Sequence, residues 1–99
     1  MTHKEILDEL RQPMKDLREQ VPDVFENFSA RSSAVLGDGA LAAKTKELIA
    51  LAIAVTKQCD GCVAAHARGA ARRGATREEV AEALGVAILM NGGPGTVHV

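Results

Sequence analysis

Hydrophobic residues recur at helical spacing along most of the chain, and no segment shows sustained alternation of apolar and polar positions. Near the N-terminus, one apolar stripe predicts a helix that packs by a single face: Ile6, Leu7, Leu10, Met14 and Leu17. Thr2 and Glu5 form a capping-box pattern at its start. Pro13 is expected to kink or divide this helix. The pattern therefore predicts helices and no sheet.

Two further helices are predicted before the middle of the chain. Residues 21–23 form a junction, after which a second helix begins, with Phe25 and Phe28 expected in the core. Residues 37–39 carry a turn signal. The helix that follows, over residues 42–55, is so rich in aliphatic side chains that we expect it to be central and hidden on most of its circumference.

The last two helices are predicted from their end signals. A break near residues 58–61 precedes the fourth helix, with Asp60 as its expected N-cap and Gly74 as its C-terminal stop. A second capping box at residues 76–79 starts an amphipathic helix, which the glycine-rich run 92–95 ends. The chain is thus expected to be an all-α bundle of five or six helices.

Length and composition limit how such a bundle can be built. The chain has 99 residues, of which 46% are hydrophobic and only 2% aromatic. We expect one domain over residues 1–99, with a core of many small aliphatic contacts. Because a chain of this size buries a modest core by itself, identical subunits are expected to complete the cover of the central helix.

Charge and hydropathy exclude several classes of partner. The formal net charge of −1 gives no electrostatic case for nucleic acid or a membrane surface. No apolar run approaches the length of a bilayer span, and the N-terminus lacks a signal-peptide core. We therefore expect a cytoplasmic protein. In that reducing compartment, closely spaced cysteines favour catalysis or metal binding over a structural disulfide.

The candidate chemistry lies around the chain's two cysteines. Cys59 and Cys62 stand three residues apart, and His66 follows one helical turn later. The first-turn amides and the helix dipole favour an anion, so Cys62 should ionise more readily than a free cysteine. His66 shares a helix face with Cys62 and could take or return its proton. Glu47 could hold the other imidazole nitrogen, which completes the outline of nucleophile, base and orienting group.

Other interpretations of these residues stay open at this point. Free cysteines are often small core residues. A Cys-x-x-Cys pair with one histidine supplies three zinc ligands, but the usual second pair is missing, and His3 and His98 lie at the chain ends. A thioredoxin-like site would need strands around the motif. Glu47 alone would be an ordinary solvated helix residue.

A cluster of three arginines follows on the same helix. Arg68, Arg72 and Arg73 could form an anion-binding edge, although a charged helix face is the commoner explanation.

The candidate site thus consists of Glu47, the run Cys59-Asp60-Gly61-Cys62 and His66. With this motif, the chain resembles the alkylhydroperoxidase D-like branch of the carboxymuconolactone decarboxylase family. The resemblance covers roughly residues 22–95, with the motif region over 40–95. It implies an all-α fold and a homo-oligomer, commonly a trimer or hexamer. One departure is Gly61, because the best-known members carry a histidine there.

The resemblance also implies a role for each residue. Cys62 would attack a peroxide and become a sulfenic acid, and Cys59 would donate a proton and resolve it to a disulfide. Glu47 and His66 would form the proton relay. No cofactor and no metal are expected, so an external dithiol or disulfide reductant must regenerate the thiols.

The leading hypothesis is therefore a cysteine-based peroxidase that reduces hydrogen peroxide or an organic peroxide. A second hypothesis is a disulfide reductase or adaptor in a peroxidase electron chain. A third is a non-redox, lactone decarboxylase-like protein or a helical oligomerisation module. Decarboxylase members of the family generally lack the cysteine pair, which argues against that activity.

Overall fold

The structure is a computed structural model that describes residues 2–91, apart from the side chain of His3. The chain forms five α-helices: α1 His3–Gln20, α2 Pro22–Leu36, α3 Ala43–Thr56, α4 Asp60–Arg72 and α5 Arg77–Asn91. No strand occurs within residues 2–91, so the predicted all-α fold is confirmed. The predicted helix stop at 92–95, the tail after it and His98 lie outside the described residues.

Helix α3 lies at the centre of the bundle. It packs against α4 on one side and α5 on another, and α1 packs on α4. The main cluster of buried side chains comes from these inner helices: Leu51, Ala54, Val55, Val63 and Ala87. Such small aliphatic residues allow close approach of the helix axes.

Helix α3 is covered around most of its circumference, as the sequence predicted, and only Ile49 and Ile53 are exposed. Its buried residues form one stripe, Ala43, Glu47, Leu51, Ala54 and Val55. Ile49 and Ile53 on the same helix are about half exposed. Helix α1 packs on α4 rather than on α3, so among the described helices none covers the edge of α3 that carries these two isoleucines.

For the N-terminal helices, the structure excludes one of the two alternatives predicted at Pro13 and contradicts the predicted burial of Phe28. Pro13 does not divide α1, which runs without a break from His3 to Gln20. The carbonyl of Glu9, which would otherwise accept a hydrogen bond from residue 13, lies in an exposed stretch where water can bind it.

Phe28 is 57% exposed and α2 buries no residue, because α2 makes only sparse contacts with α1 and α3. Instead of entering the core, Phe25 and Phe28 carry arginine guanidinium groups over their rings.

Both predicted capping boxes are present. At α1, the amide of Glu5 donates to the hydroxyl of Thr2, and the Glu5 carboxylate accepts from the Thr2 amide. At α5, Thr76 and Glu79 make the same reciprocal pair at 2.9 and 3.1 Å. Each box satisfies two amides that a helix start would leave without partners.

Helices α3 and α5 are also joined by a surface ion pair. Lys44 Nζ lies 2.9 Å from Glu79 Oε2. The hydrogen bond from Lys44, with further contributions from Thr76, holds the pKa of Glu79 below its ordinary value.

Within residues 2–91, no helix combines the length and apolar character needed to cross a membrane.

Candidate active site

The corner between α3 and α4 positions the cysteine pair. Gln58 adopts a left-handed conformation with φ 56°, and the amides of Gln58 and Cys59 donate to the carbonyls of Val55 and Ala54. These two hydrogen bonds together form the Schellman motif, which ends a helix and turns the chain in a new direction. Gln58 occupies a position that glycine usually fills, and it delivers Cys59 to the start of α4.

Cys59, and not Asp60, is the N-cap of α4. The backbone of Cys59 is extended, and its Sγ accepts a hydrogen bond from the amide of Cys62 at 3.3 Å. Asp60 is the first helical residue, where a negative charge still complements the helix dipole. The sequence predicted that the first-turn amides favour an anion at Cys62. In the structure, the amide of Cys62 points to the sulfur of Cys59.

The two cysteines form a disulfide. Their Cα atoms are 5.2 Å apart, which is within the range of about 4.4–6.8 Å found for such bonds. Cys62 is exposed, whereas Cys59 is half-buried. An incoming thiol therefore meets the sulfur of Cys62 more readily than that of Cys59.

The structure brings Glu47 and His66 into direct contact. Oε2 of Glu47 lies 2.9 Å from Nδ1 of His66, although 19 residues separate them in sequence. Glu47 is 6% exposed and is the one buried charged residue among those described. With Nδ1 donating to the carboxylate, Nε2 is left as an acceptor. The interpretation of Glu47 as a solvated helix residue is therefore wrong.

Gly69 is a site residue that the sequence reasoning missed. A Cβ built on Gly69 would lie 2.7 Å from Cδ and Oε2 of Glu47 and 3.0 Å from Oε1. Only glycine allows the carboxylate to lie this close to the backbone of α4. A glycine inside an alanine-rich helix is itself the signal, because helix interiors disfavour glycine unless close approach requires it.

Two cavities adjoin the disulfide, and different helices form their walls. A smaller one of about 260 Å³ lies against α3, and its further lining residues are Ala50, Ile53, Ala54 and Lys57. A larger one of about 630 Å³ lies between α1, α2 and α4. Cys59, Cys62 and His66 line both. The sulfur atoms and the imidazole can therefore be reached through either cavity.

Gly61 departs from the family pattern for a reason visible in the packing. A Cβ at this position would lie 3.2 Å from Cδ1 of Leu10 on α1. A side chain at residue 61 would therefore require the Leu10 side chain to shift by a few tenths of an ångström. The residues from 2 to 91 also contain no group of three or more His, Cys, Asp and Glu side chains arranged to hold a metal ion.

Comparison with known proteins places this site in a family. The sequence model of the carboxymuconolactone decarboxylase family matches residues 22–99. The chain belongs to the carboxymuconolactone decarboxylase family. The resemblance seen in the motif is thereby confirmed, and the alkylhydroperoxidase D-like branch fits this family.

Several relatives share most of the chain. An uncharacterised protein of Cupriavidus necator is 42% identical over 92 residues, which cover 93% of this chain and 81% of the relative. Uncharacterised protein 4 of the cox locus of Paracoccus denitrificans is 46% identical over 75 residues, covering 76% of this chain and 68% of the relative.

Solved structures of the family have the same fold. A carboxymuconolactone decarboxylase family protein from Legionella pneumophila, solved in its apo form, superposes with a TM-score of 0.92 at 41% identity. That match covers 97% of this chain and 86% of the Legionella chain. A Thermotoga maritima protein matches with a TM-score of 0.82 at 29% identity, over 96% of this chain and 83% of its own.

Proposed function

We propose that this protein is a cysteine-based peroxidase of the alkylhydroperoxidase type, which reduces peroxides through a thiol–disulfide cycle at Cys59 and Cys62. The observation that carries the proposal is the disulfide beside a buried Glu47–His66 pair. A carboxylate that holds one imidazole nitrogen leaves the other free to move a proton, which is the requirement of thiol activation. Membership of a family that includes such enzymes supports the same conclusion.

The first step is attack of Cys62 on the peroxide. His66 takes the proton of the thiol through Nε2, while Glu47 stabilises the imidazolium through Nδ1. The thiolate of Cys62 attacks one peroxide oxygen, the O–O bond breaks, and its electron pair leaves on the other oxygen. That oxygen takes the proton from His66. The products are a sulfenic acid at Cys62 and an alcohol, or water from hydrogen peroxide.

The second step closes the disulfide. The sulfur of Cys59 attacks the sulfur of the Cys62 sulfenic acid, and the oxygen leaves as water. The contact from the Cys62 amide to Cys59 Sγ supports this role, because a helix amide stabilises negative charge on the sulfur that attacks. An external dithiol then attacks the exposed Cys62 sulfur and expels Cys59 as a thiolate. The cycle consumes two thiols of the reductant for each peroxide.

A second candidate function is disulfide exchange without efficient peroxide reduction. The exposed sulfur of Cys62 favours it, since a bulky thiol partner can reach that atom. Turnover with hydrogen peroxide or cumene hydroperoxide should be compared with turnover of a small disulfide, both with a dithiol as reductant. Peroxide turnover abolished by Cys62→Ser supports the peroxidase. Disulfide turnover alone would transfer the assignment to a disulfide reductase or adaptor.

We further propose that the protein is a homo-oligomer, a trimer or a hexamer. Val86, Leu89 and Met90 on α5 are 58, 80 and 75% exposed in the single chain, and Ile49 and Ile53 are half exposed on α3. Large apolar side chains in such numbers are typical of surfaces that associate. Native mass spectrometry should give a defined oligomer that Leu89→Glu shifts towards the monomer. A wild-type protein that stays monomeric at micromolar concentration would contradict this.

A further inference from the structure

The larger cavity beside the disulfide has the size and lining of a site for an organic molecule. Its volume of about 630 Å³ falls within the range of roughly 300–1,000 Å³ that is usual for small-molecule sites. Leu7, Leu10 and Met14 of α1 and Phe28 of α2 form its apolar walls. Cys59, Cys62 and His66 line it as well. An aliphatic chain could lie along these walls with one end at the sulfur atoms.

The same cavity carries positive charge away from the cysteines. Arg11 and Arg68 line it, and a neighbouring cavity that shares both arginines adds Lys4 and Asp8. Arg11 is paired with Asp8 at 3.0 Å. Arg68 makes no ion pair or hydrogen bond with any other residue in the described part of the chain. Lys4, Arg11 and Arg68 outnumber the single carboxylate of Asp8, so this edge has a net positive charge. Among the described residues, Arg68 is the guanidinium of this edge that has no ion-pair partner.

The spacing on α4 fixes how far apart the two ends of a ligand must be. Cys62 and Arg68 are six residues apart on the helix, which corresponds to about 9 Å along its axis. A molecule that reaches both needs an extended apolar segment between its reactive end and its anionic end. Hydrogen peroxide and small alkyl peroxides cannot span that distance.

We propose that the preferred substrate is a long-chain aliphatic hydroperoxide that carries a carboxylate, as a hydroperoxide of a fatty acid does. The carboxylate binds Arg68, the chain lies against Leu7 and Leu10, and the hydroperoxide reaches Cys62. This inference rests on the proposed peroxidase function and specifies its substrate. The thiolate of Cys62 takes the terminal oxygen, and the remaining oxygen stays on the chain as an alcohol, so the product is a hydroxy acid.

Binding can be tested without any turnover. Isothermal titration of the oxidised full-length protein with decanoate and with uncharged decanamide compares the two end groups on the same chain. Decanoate should bind at least tenfold more tightly than decanamide, because an arginine–carboxylate contact is a hydrogen bond between charged groups. Arg68→Gln should remove most of this preference. Arg72→Gln, on the same helix but outside the cavity, serves as the matched control and should keep it.

Kinetics then separate this proposal from the function on which it rests. The kcat/KM for a carboxylate-bearing hydroperoxide should exceed that for its amide by a similar factor, and Arg68→Gln should lower the ratio. Decanoate binding that depends on Arg68, without any peroxide turnover, would retain the site and overturn the peroxidase. Equal turnover of acid and amide hydroperoxides in wild type and Arg68→Gln would retain the peroxidase and overturn the site. No binding of decanoate, as expected if a second copy of the chain fills the cavity, would also overturn it.

Discussion

Replacing Gly69 with alanine tests the Glu47–His66 contact without touching either residue. The added Cβ would lie 2.7 Å from Cδ and Oε2 of Glu47. Since such atoms normally approach to about 3.5 Å, the carboxylate has to withdraw by roughly 0.8 Å. The hydrogen bond of 2.9 Å to Nδ1 of His66 is then broken.

The expected effects on stability and on reactivity differ in size. Crowding of this kind costs about 1–3 kcal/mol, whereas Gly→Ala in a helix interior contributes about 1 kcal/mol to stability. The free energy of unfolding should therefore fall by only about 0–2 kcal/mol. A lost hydrogen bond to a carboxylate is worth about 1.5–3 kcal/mol, so the reaction of Cys62 with peroxide should slow by roughly ten- to a hundredfold.

The assay is stopped-flow reaction of the reduced protein with peroxide over a range of pH, together with denaturant unfolding. Gly85→Ala is the matched control, because a Cβ there meets nothing within 4 Å. It should raise stability and leave the rate unchanged. In a Glu47→Gln background, Gly69→Ala should cause little further loss of rate, since both changes remove the same contact.

The result that would refute this reasoning is specific. If Gly69→Ala reacts with peroxide as fast as Gly85→Ala and with the same pH dependence, the contact between Glu47 and His66 does not activate the thiol.

Three further predictions concern local features of the fold. Gln58→Gly should raise the free energy of unfolding by about 1 kcal/mol, because glycine adopts the left-handed conformation without the steric cost that Gln58 has. In a denaturant titration, an unchanged midpoint would contradict this conformation of Gln58. The lowered pKa of Glu79 stabilises the folded state above pH 4.5, its ordinary pKa, and this contribution is lost as the pH falls through the pKa of the folded state. Lys44→Met should remove part of this dependence of stability on pH. Unfolding curves at several acidic pH values that change equally in Lys44→Met and the wild type would count against it. Gly61→His crowds Cδ1 of Leu10, which would lie 3.2 Å from the added Cβ. Leu10→Ala should therefore make this substitution less costly by about 0.5 kcal/mol or more in a double-mutant cycle, whereas strict additivity would argue against that contact.

Features that depend on residues close together in the sequence were predicted correctly. Hydrophobic spacing predicted the helices, and Thr2 and Thr76 marked two of their starts, because a capping box involves residues only three apart. Spacing also predicted that Cys62 and His66 share a face of α4. Gly74, with φ 85°, ends that helix as expected.

The features that were missed depend on which helices pack together. Phe28 is apolar, but within residues 2–91 no helix packs closely enough on α2 to bury it. The burial of Glu47 follows from the packing of α3 on α4, which nothing near Glu47 in the sequence reveals. Gly69 becomes meaningful only when Glu47 is seen against it. Cys59 was overlooked as a cap because sulfur is an unusual acceptor at that position.

The most direct test of the central claim is mass spectrometry of the reduced protein after one equivalent of peroxide, with Cys59→Ser treated in parallel. The account predicts a Cys59–Cys62 disulfide in the wild type and a sulfenic acid, trapped by dimedone, on Cys62 of the variant. Two free thiols after peroxide, alkylated no faster than an ordinary cysteine, would contradict it.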